Sequence, residues 1–217
     1  EKTALLLSIR DKGTDELERS CPEHTDIYYR LEDIPLNEYR LLITVGPWEY
    51  DVPIPTLQFY PPVLHIGVGC KKDCSPQGVS MYIKDALTRQ HLSPLAVKSI
   101  STIELKKDEP LIAELHAQFS NSELHIYKAE ELADINVPNP SPKVKEVTGV
   151  DGVAESAAIS ASDYGRLLME KQKGILSEGN NFTFAVALSA DSDRNNGHIE
   201  IVGAGPGDPE LISVRGK

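Results

Sequence analysis

The sequence contains few cysteines and no long apolar run. Its 217 residues include three cysteines, Cys21, Cys70 and Cys74, so any disulfide pairing leaves one thiol over. Such cysteine usage is typical of a reducing compartment, and we expect a cytoplasmic protein. No segment approaches the roughly 18 apolar residues of a membrane span, and the first residues lack the pattern of a secretory signal. We therefore do not expect a membrane partner.

Positive charge is also scarce. The chain has 22 Lys and Arg against 33 Asp and Glu, which gives a formal net charge of -11. Because proteins that bind the phosphate backbone need a basic face, nucleic acid is not an expected partner. A structural zinc site needs four ligands, and no second ligand pair accompanies Cys70 and Cys74. We expect no metal site, and we expect both thiols to be reduced.

The stretch 63–80 is the centre of the fold prediction. An apolar β-type run reaches Gly67 and Gly69, and Ser75 with Pro76 then predicts the start of a helix. A glycine turn between a strand and a helix can offer backbone N–H groups to an anionic ligand. The third glycine of a dinucleotide fingerprint is missing, which weakens a nucleotide interpretation. A purely structural turn is an equal alternative.

Apolar strands alternate with amphipathic helices along the chain. Strands are predicted at 3–9, 40–45, 63–66, 100–105, 124–127, 165–173 and 181–188, and helices after Ser75 and at 109–119, 129–134, 143–148 and 152–162. This order predicts an α/β fold of three layers, α/β/α, with a mixed or parallel sheet between helices. A partial, loosely packed N-terminal arm precedes it. Residues 46–62, rich in proline, predict an extended connector at a boundary.

The end of the chain changes character. Residues 189–197 are polar and predict a flexible linker. Residues 198–217 predict a strand that enters a dense glycine turn with Gly203, Gly205, Gly207 and Asp208. We expect this segment to begin a following domain of which the chain holds only the start.

Seven ordered motifs resemble a known family. They are VLHIGVGC (63–70), STIELKKDE (101–109), YKAEE (127–131), VPNPS (137–141), GVAESAA (152–158), KQK (171–173) and FTFAVA (182–187). Their order is similar to that of the C-terminal domain of the CbiG family of cobalamin biosynthesis, called CobE when it stands alone. The resemblance covers 61–188, and residues 1–60 resemble part of the family's middle region. IVGAGPGDPELIS is similar to the opening of tetrapyrrole methyltransferases of the precorrin-3B C17 type.

The resemblance implies an enzyme of the anaerobic cobalamin pathway. Full-length CbiG proteins open the δ-lactone of cobalt-precorrin-5A and release acetaldehyde. The implied partners are a cobalt-corrin or precorrin intermediate and other enzymes of the pathway. Cobalt belongs to the substrate, so the CbiG-like domain needs no cofactor, whereas the fused methyltransferase would use S-adenosylmethionine. Two alternatives remain open: a module that binds or delivers the intermediate without chemistry, and an activity that belongs to the methyltransferase.

Ring opening needs a base, and a substrate with many carboxylates needs cations or backbone donors. The catalytic candidates are Glu155, Glu109 and Lys106. The ligand-binding candidates are Gly67, Gly69, Cys70, Lys171 and Lys173, and the cofactor-binding candidates of the methyltransferase are Gly203, Gly205, Gly207 and Asp208. We expect one sheet edge to gather the Gly67–Cys70 turn, Lys106, Glu109, Glu155 and Lys171, although solvated surface charge explains any single charged member equally well. Asp108 is the expected N-cap of the helix at 109–119. Glu155 lies in the first turn of the helix at 152–162, where a negative charge is favourable, so a structural role is the alternative explanation for this residue.

Overall fold

The computed structural model describes residues 2–177 and 180–195, and this part of the chain forms two β-sheets. The strands are β1 (Thr3–Leu7), β2 (Thr25–Tyr28), β3 (Leu41–Val45), β4 (Thr56–Phe59), β5 (Leu64–Cys70), β6 (Val97–Ile103), β7 (Glu123–Tyr127), β8 (Leu167–Ser177) and β9 (Asn180–Leu188). The helices are α1 (Lys12–Arg19), α2 (Val79–Arg89), α3 (Pro110–Gln118), α4 (Ala129–Leu132), α5 (Pro142–Thr148) and α6 (Val153–Ala161). Within the described residues, no helix is both long enough and apolar enough to cross a membrane.

The first sheet is parallel, with the strand order β2-β1-β3-β4. The prediction of an extended connector at 46–62 is therefore wrong for Thr56–Phe59, which pairs with β3. Pro55 and Pro61 lie on either side of this strand. Because β4 is an edge strand, it needs ladder hydrogen bonds on one side only, which makes the surrounding prolines compatible with a sheet.

The first sheet has a buried core of its own, formed by Ala4, Leu6, Ile34, Tyr39 and Leu42. The rings of Tyr28 and Tyr39 meet edge to face at 5.9 Å, and the Tyr39 hydroxyl donates to Asp26 Oδ2 at 2.6 Å. The expectation of a loosely packed arm is therefore wrong for these residues.

The second sheet has the order β7-β6-β5-β9-β8. Strands β7, β6 and β5 are parallel, whereas β9 runs antiparallel to both of its neighbours. Apolar side chains of α2 and α3 share a buried cluster with Leu64, Ile66 and Val68 of β5. Helix α6 covers the other face, where Ala154 and Ala158 pack against Ala185 and Ala187. The prediction of an α/β/α arrangement around a mixed sheet is confirmed for this unit.

Two helices begin later than the sequence predicted. Helix α2 begins at Val79, because Gly78 adopts a left-handed conformation with φ of 80° and ends the preceding turn. The hydroxyl of Ser75 accepts only a long hydrogen bond from Gln77 N, at 3.4 Å, so it does not cap the helix. The N-cap of α3 is Glu109 and not Asp108, and no side chain caps this helix.

Residues 189–195 connect the two sheets. The carboxylate of Asp193 is buried and accepts a hydrogen bond from Arg166 Nε at 2.8 Å. Arg194 Nε donates to the carbonyl of Ile9, which follows β1, at 2.7 Å. The prediction of a flexible linker is therefore wrong for the part of it that the structure describes.

Candidate functional site

Gly67 and Gly69 lie inside β5 and not in a turn. Both pair with β9, and neither has a positive φ. A Cβ at Gly67 would stand 1.9 Å from the carbonyl oxygen of Ala154, and a Cβ at Gly69 would stand 2.9 Å from Thr183 Oγ1. Gly67 therefore lets α6 approach the sheet, whereas Gly69 leaves room for the side chain of Thr183 on β9. The predicted glycine turn with free N–H groups is wrong, because these residues belong to the hydrogen-bonded ladder.

The carboxyl end of β5 meets the residues that follow β6. Cys70 ends β5, and a single 3-10 turn at Glu104–Lys106 joins β6 to the start of α3. Lys106 Nζ lies 3.4 Å from Glu109 Oε1, and the two side chains are only 15% and 10% exposed. Glu109 Oε2 is buried and has no hydrogen-bond partner among the described residues. A partly satisfied carboxylate thus lies at the sheet edge where α/β proteins bind ligands.

Two thiols lie beside this carboxylate. The pKa of Cys70 is raised to about 12, mainly by burial and also by the negative charge of Glu109, while the positive charge of Lys106 opposes the shift. Burial also raises the pKa of Cys74, and the same two charges act on it. Both cysteines are free. At neutral pH these thiols are protonated, which makes them poor nucleophiles.

Glu155 occupies the other face of the sheet, in the first turn of α6. It is fully buried. Its Oε1 accepts hydrogen bonds from Asn139 Nδ2 at 2.8 Å and from the backbone N–H of Lys171 at 2.9 Å. Its Oε2 accepts one from the backbone N–H of Asn139 at 3.2 Å. Three donors therefore satisfy this carboxylate, which joins α6, β8 and the loop at 137–141.

Lys171 and Lys173 have different surroundings. The ammonium group of Lys171 donates to the carbonyl of Asn139, so this side chain also belongs to the Glu155 network. Lys173 is exposed on β8. Asn139 makes a further bond from Nδ2 to Glu170 Oε2 at 2.9 Å. Sequence reasoning did not select Asn139; its position between two prolines in VPNPS was a signal that could have identified it.

An open cleft of about 580 Å³ lies at the same end of the sheet, above β6. Leu105 and Val147 are exposed apolar residues on its walls, and Lys107 and Lys128 supply cations. The walls also carry Glu104, Asp108 and Glu130. The cleft can therefore accept an apolar surface that bears charged groups.

The structure divides the predicted site residues between two faces of the second sheet. Cys70, Lys106 and Glu109 lie on the side of α2 and α3, since Cys70 packs against the core that these helices share with β5. Glu155 and Lys171 lie on the side of α6. The predicted single cluster is not formed. In the part of the chain that the structure describes, no group of three or more His, Cys, Asp or Glu side chains is arranged to hold a metal ion.

His65 was also not selected from the sequence. It is buried near the start of β5, with Nδ1 2.8 Å from Ser99 Oγ and Nε2 2.8 Å from Ser189 Oγ. Burial lowers its pKa to about 4. The ring is thus neutral at physiological pH and is held at the edge of the sheet opposite to the cleft, which indicates a structural role.

These features define an α/β protein whose mixed sheet has a cleft and a partly satisfied carboxylate at the carboxyl ends of its parallel strands. Residues 64–187 match the family described as cobalamin synthesis G C-terminus. The chain belongs to this family, the C-terminal domain of CbiG. The resemblance to the CbiG and CobE proteins is therefore confirmed.

Three relatives show how far the similarity extends. The cobalt-precorrin-5A hydrolase of Priestia megaterium is 35% identical over 130 residues, which are 60% of this chain and 33% of that protein. The enzyme of the same name from Salmonella typhimurium is 30% identical over 128 residues, 58% of this chain and 36% of that protein. The crystal structure of CobE, a protein from the cobalamin biosynthetic pathway, is 25% identical with a TM-score of 0.51, and the match covers 59% of this chain and 91% of CobE. The chain thus spans about a third of the length of the two hydrolases.

Proposed function

We propose that this chain acts in cobalamin biosynthesis at the cobalt-precorrin-5A step, in which the δ-lactone is opened and acetaldehyde is released. The observation that carries the proposal is the name shared by two relatives, 35% and 30% identical to this chain, which are both cobalt-precorrin-5A hydrolases. The match to the CbiG family spans the whole of β5 to α6 and nearly all of the second sheet, and it supports the same step.

The geometry offers parts that this reaction needs. Hydrolysis of a lactone needs a base for the attacking water and a positive group near the developing oxyanion. Glu109 and Lys106 provide such a pair at the carboxyl edge of the sheet. Leu105 and Val147 in the neighbouring cleft can contact the macrocycle, while Lys107 and Lys128 can pair with its carboxylates.

The direct test is incubation of the chain with cobalt-precorrin-5A and measurement of acetaldehyde by reduction with alcohol dehydrogenase and NADH. We expect acetaldehyde in proportion to the substrate consumed. Lys128→Gln should raise KM about fivefold, because an exposed ion pair contributes about 1 kcal/mol. Lys2→Gln, which changes a lysine of the first sheet beside Asp26, should leave KM unchanged. Bound but unchanged substrate with the wild-type chain would contradict the hydrolase proposal.

A second candidate is a module that binds the intermediate without transforming it. The observation that favours it is the extent of the match to CobE, since this chain covers 91% of that protein. Spectrophotometric titration with the intermediate, followed by acid release and mass analysis, distinguishes the two candidates. A binding module returns intact lactone, whereas a hydrolase returns the opened product.

We further propose that residues 198–217 begin a methyltransferase domain that would use S-adenosylmethionine. The motif IVGAGPGDPELIS supports this proposal. Its candidate cofactor residues, Gly203, Gly205, Gly207 and Asp208, lie outside the described residues. A glycine turn can supply backbone N–H groups and a close approach to such a cofactor. Titration calorimetry with S-adenosylmethionine on a protein that carries the whole methyltransferase domain tests this proposal, and the absence of binding would contradict it.

We also propose that the protein is cytoplasmic and that it contacts other enzymes of the cobalamin pathway. The substrate is an intermediate that another enzyme must supply, and the use of only three cysteines suits a reducing compartment. Cell fractionation checks the location, and co-purification of pathway enzymes with a tagged chain checks the partners.

A further inference from the structure

We infer that Glu109 is the general base that activates water for lactone opening, and that Glu155 is a structural carboxylate. The sequence offers both residues as candidates, and their hydrogen-bonding distinguishes them. The inference rests on the proposed hydrolase function, because it assigns a residue to that reaction.

Three hydrogen bonds hold the carboxylate of Glu155 in place. Each of its oxygens already accepts a hydrogen bond, from Asn139 or from Lys171, and two of the three donors are backbone N–H groups that cannot turn away. The side chain is also completely buried. Such a carboxylate is suited to holding α6, β8 and the loop at 137–141 together.

Glu109 has a free oxygen. Lys106 Nζ lies 3.4 Å from Oε1, which fixes that half of the carboxylate. Oε2 is buried and accepts no hydrogen bond from any described residue. A buried acceptor without a partner costs about 1–3 kcal/mol, so the site favours any donor that arrives. Water and hydroxyl groups are such donors, and catalytic hydrogen bonds often form only when the substrate is present.

The position of Glu109 also suits a reaction with a bound ligand. It precedes α3 directly, at the carboxyl end of the parallel strands β5 and β6. Its neighbours in chain sequence, Lys107 and Asp108, line the cleft. The nearby thiols are protonated, because burial raises the pKa of Cys70 to about 12. They do not compete with the carboxylate as bases or nucleophiles.

In the proposed step, Glu109 Oε2 accepts a proton from water while the water oxygen bonds to the lactone carbonyl carbon. Lys106, next to Glu109, supplies the positive charge for the oxyanion of the tetrahedral intermediate. When the tetrahedral intermediate collapses, the ring C–O bond breaks and the departing oxygen takes the proton back from Glu109. Water is thereby added across the lactone to give a carboxylic acid and a hydroxyl group. Acetaldehyde is released when the freed hydroxyl loses its proton and the bond between its carbon and the macrocycle breaks, with the electron pair of that bond left on the macrocycle.

The test compares Glu109→Gln, Glu155→Gln and a matched control, Glu114→Gln, in the acetaldehyde assay with the full chain. Glu114 lies on α3 like Glu109, but it is partly exposed and accepts a hydrogen bond from Gln118. We expect Glu109→Gln to lower kcat about 10²–10⁴-fold with little change in KM, which is the usual contribution of a general base. Glu155→Gln should lower the midpoint of urea unfolding and leave kcat of the folded protein within about threefold, and Glu114→Gln should change neither.

A further variant tests the assignment even if Glu109→Gln does not fold. Glu109→Gly keeps a residue that is tolerated at an N-cap, and added formate should restore part of kcat because it supplies the missing carboxylate. If the wild-type chain is active and Glu109→Gln stays within threefold of it, the assignment of Glu109 is overturned while the proposed function stands. If Glu109→Gly folds and formate restores nothing, the assignment is likewise overturned. If the wild-type chain binds the lactone and leaves it intact, the proposed function fails and the assignment fails with it.

Discussion

Gly67 and Ala154 bring β5 and α6 into direct backbone contact. A Cβ added to Gly67 would stand 1.9 Å from the carbonyl oxygen of Ala154 and 2.5 Å from the amide nitrogen of Ala158. Both are main-chain atoms of the helix, so no rotation of a side chain can relieve the overlap. The glycine is therefore required for the distance between the helix and the sheet, which in turn places Glu155 against β8.

We predict that Gly67→Ala destabilises the protein by about 3 kcal/mol or more, because a well-packed interface must separate to admit the methyl group. Urea unfolding measures the change. Gly149→Ala is the matched control: Gly149 has a φ of 74°, and a Cβ added there would have nothing within 4 Å, so only backbone strain of about 1 kcal/mol is expected. Equal losses in the two variants would show that packing against α6 is not what Gly67 provides.

The same glycine shows where prediction from the sequence succeeded and where it failed. The apolar run before Gly67 predicted a strand, and the alternation of strands and helices predicted the three-layer unit, because both depend on local patterns. The glycines themselves were interpreted as a turn. Gly67 is required because α6 packs directly against it, and Ala154 of that helix lies 87 residues further along the chain. No local sequence pattern indicates such a contact.

The candidate site was likewise predictable from the sequence only in part. The spacing of Lys106 and Glu109 and their place after a strand predicted a position at the sheet edge, and the structure has them there. The number of donors that reach each carboxylate was not predictable, because the donors to Glu155 come from Asn139 and Lys171, which are distant in sequence. Choosing between the two glutamates therefore required the structure.

His65 should make stability depend on pH. Burial lowers its pKa to about 4 in the folded protein, whereas the unfolded value is about 6.5. As the pH falls, His65 therefore binds a proton in the unfolded chain before it does so in the folded protein. The stability that neutral His65 contributes is fully present above about pH 6.5 and is lost as the pH falls from about 6.5 to about 4. The expected loss is about 3 kcal/mol. His65→Gln should remove this part of the pH dependence in urea unfolding curves, and an unchanged slope would show that other groups cause it.

Arg194 should hold the two sheets together. Its guanidinium donates to the Ile9 carbonyl at 2.7 Å and to Glu18 Oε1 at 2.7 Å, and it stacks 4.5 Å from the ring of Tyr29. We expect Arg194→Ala to cost about 2 kcal/mol, since these are charge-assisted bonds at a partly buried position. The fluorescence of Trp48, the single tryptophan, reports on the contact between the units built on the first and the second sheet. Trp48 follows β3 of the first sheet and forms a β-bridge with Leu92, which precedes β6 of the second.

Arg30→Ala is the control for the junction. Arg30 forms an exposed ion pair with Asp33 inside the first unit, where little or no loss of stability is expected. Should Arg194→Ala leave both the stability and the Trp48 fluorescence as in the wild type, the Arg194 side chain would have no role in fixing the two units.

The rate at which Cys70 is alkylated should depend on the charge of Glu109. The pKa of this thiol is raised to about 12, mainly by burial; the negative charge of Glu109 contributes to this increase, and the positive charge of Lys106 opposes it. Glu109→Gln should therefore lower the pKa of Cys70 and accelerate its alkylation by iodoacetamide, whereas Lys106→Met should slow it, because alkylation proceeds through the thiolate. Mass spectrometry of the labelled peptides gives the rates, with Cys21 of the first unit as an internal reference that should not change. Equal acceleration of Cys21 and Cys70 would indicate general loosening of the fold, and no change at Cys70 would show that its thiol does not sense the carboxylate at the sheet edge.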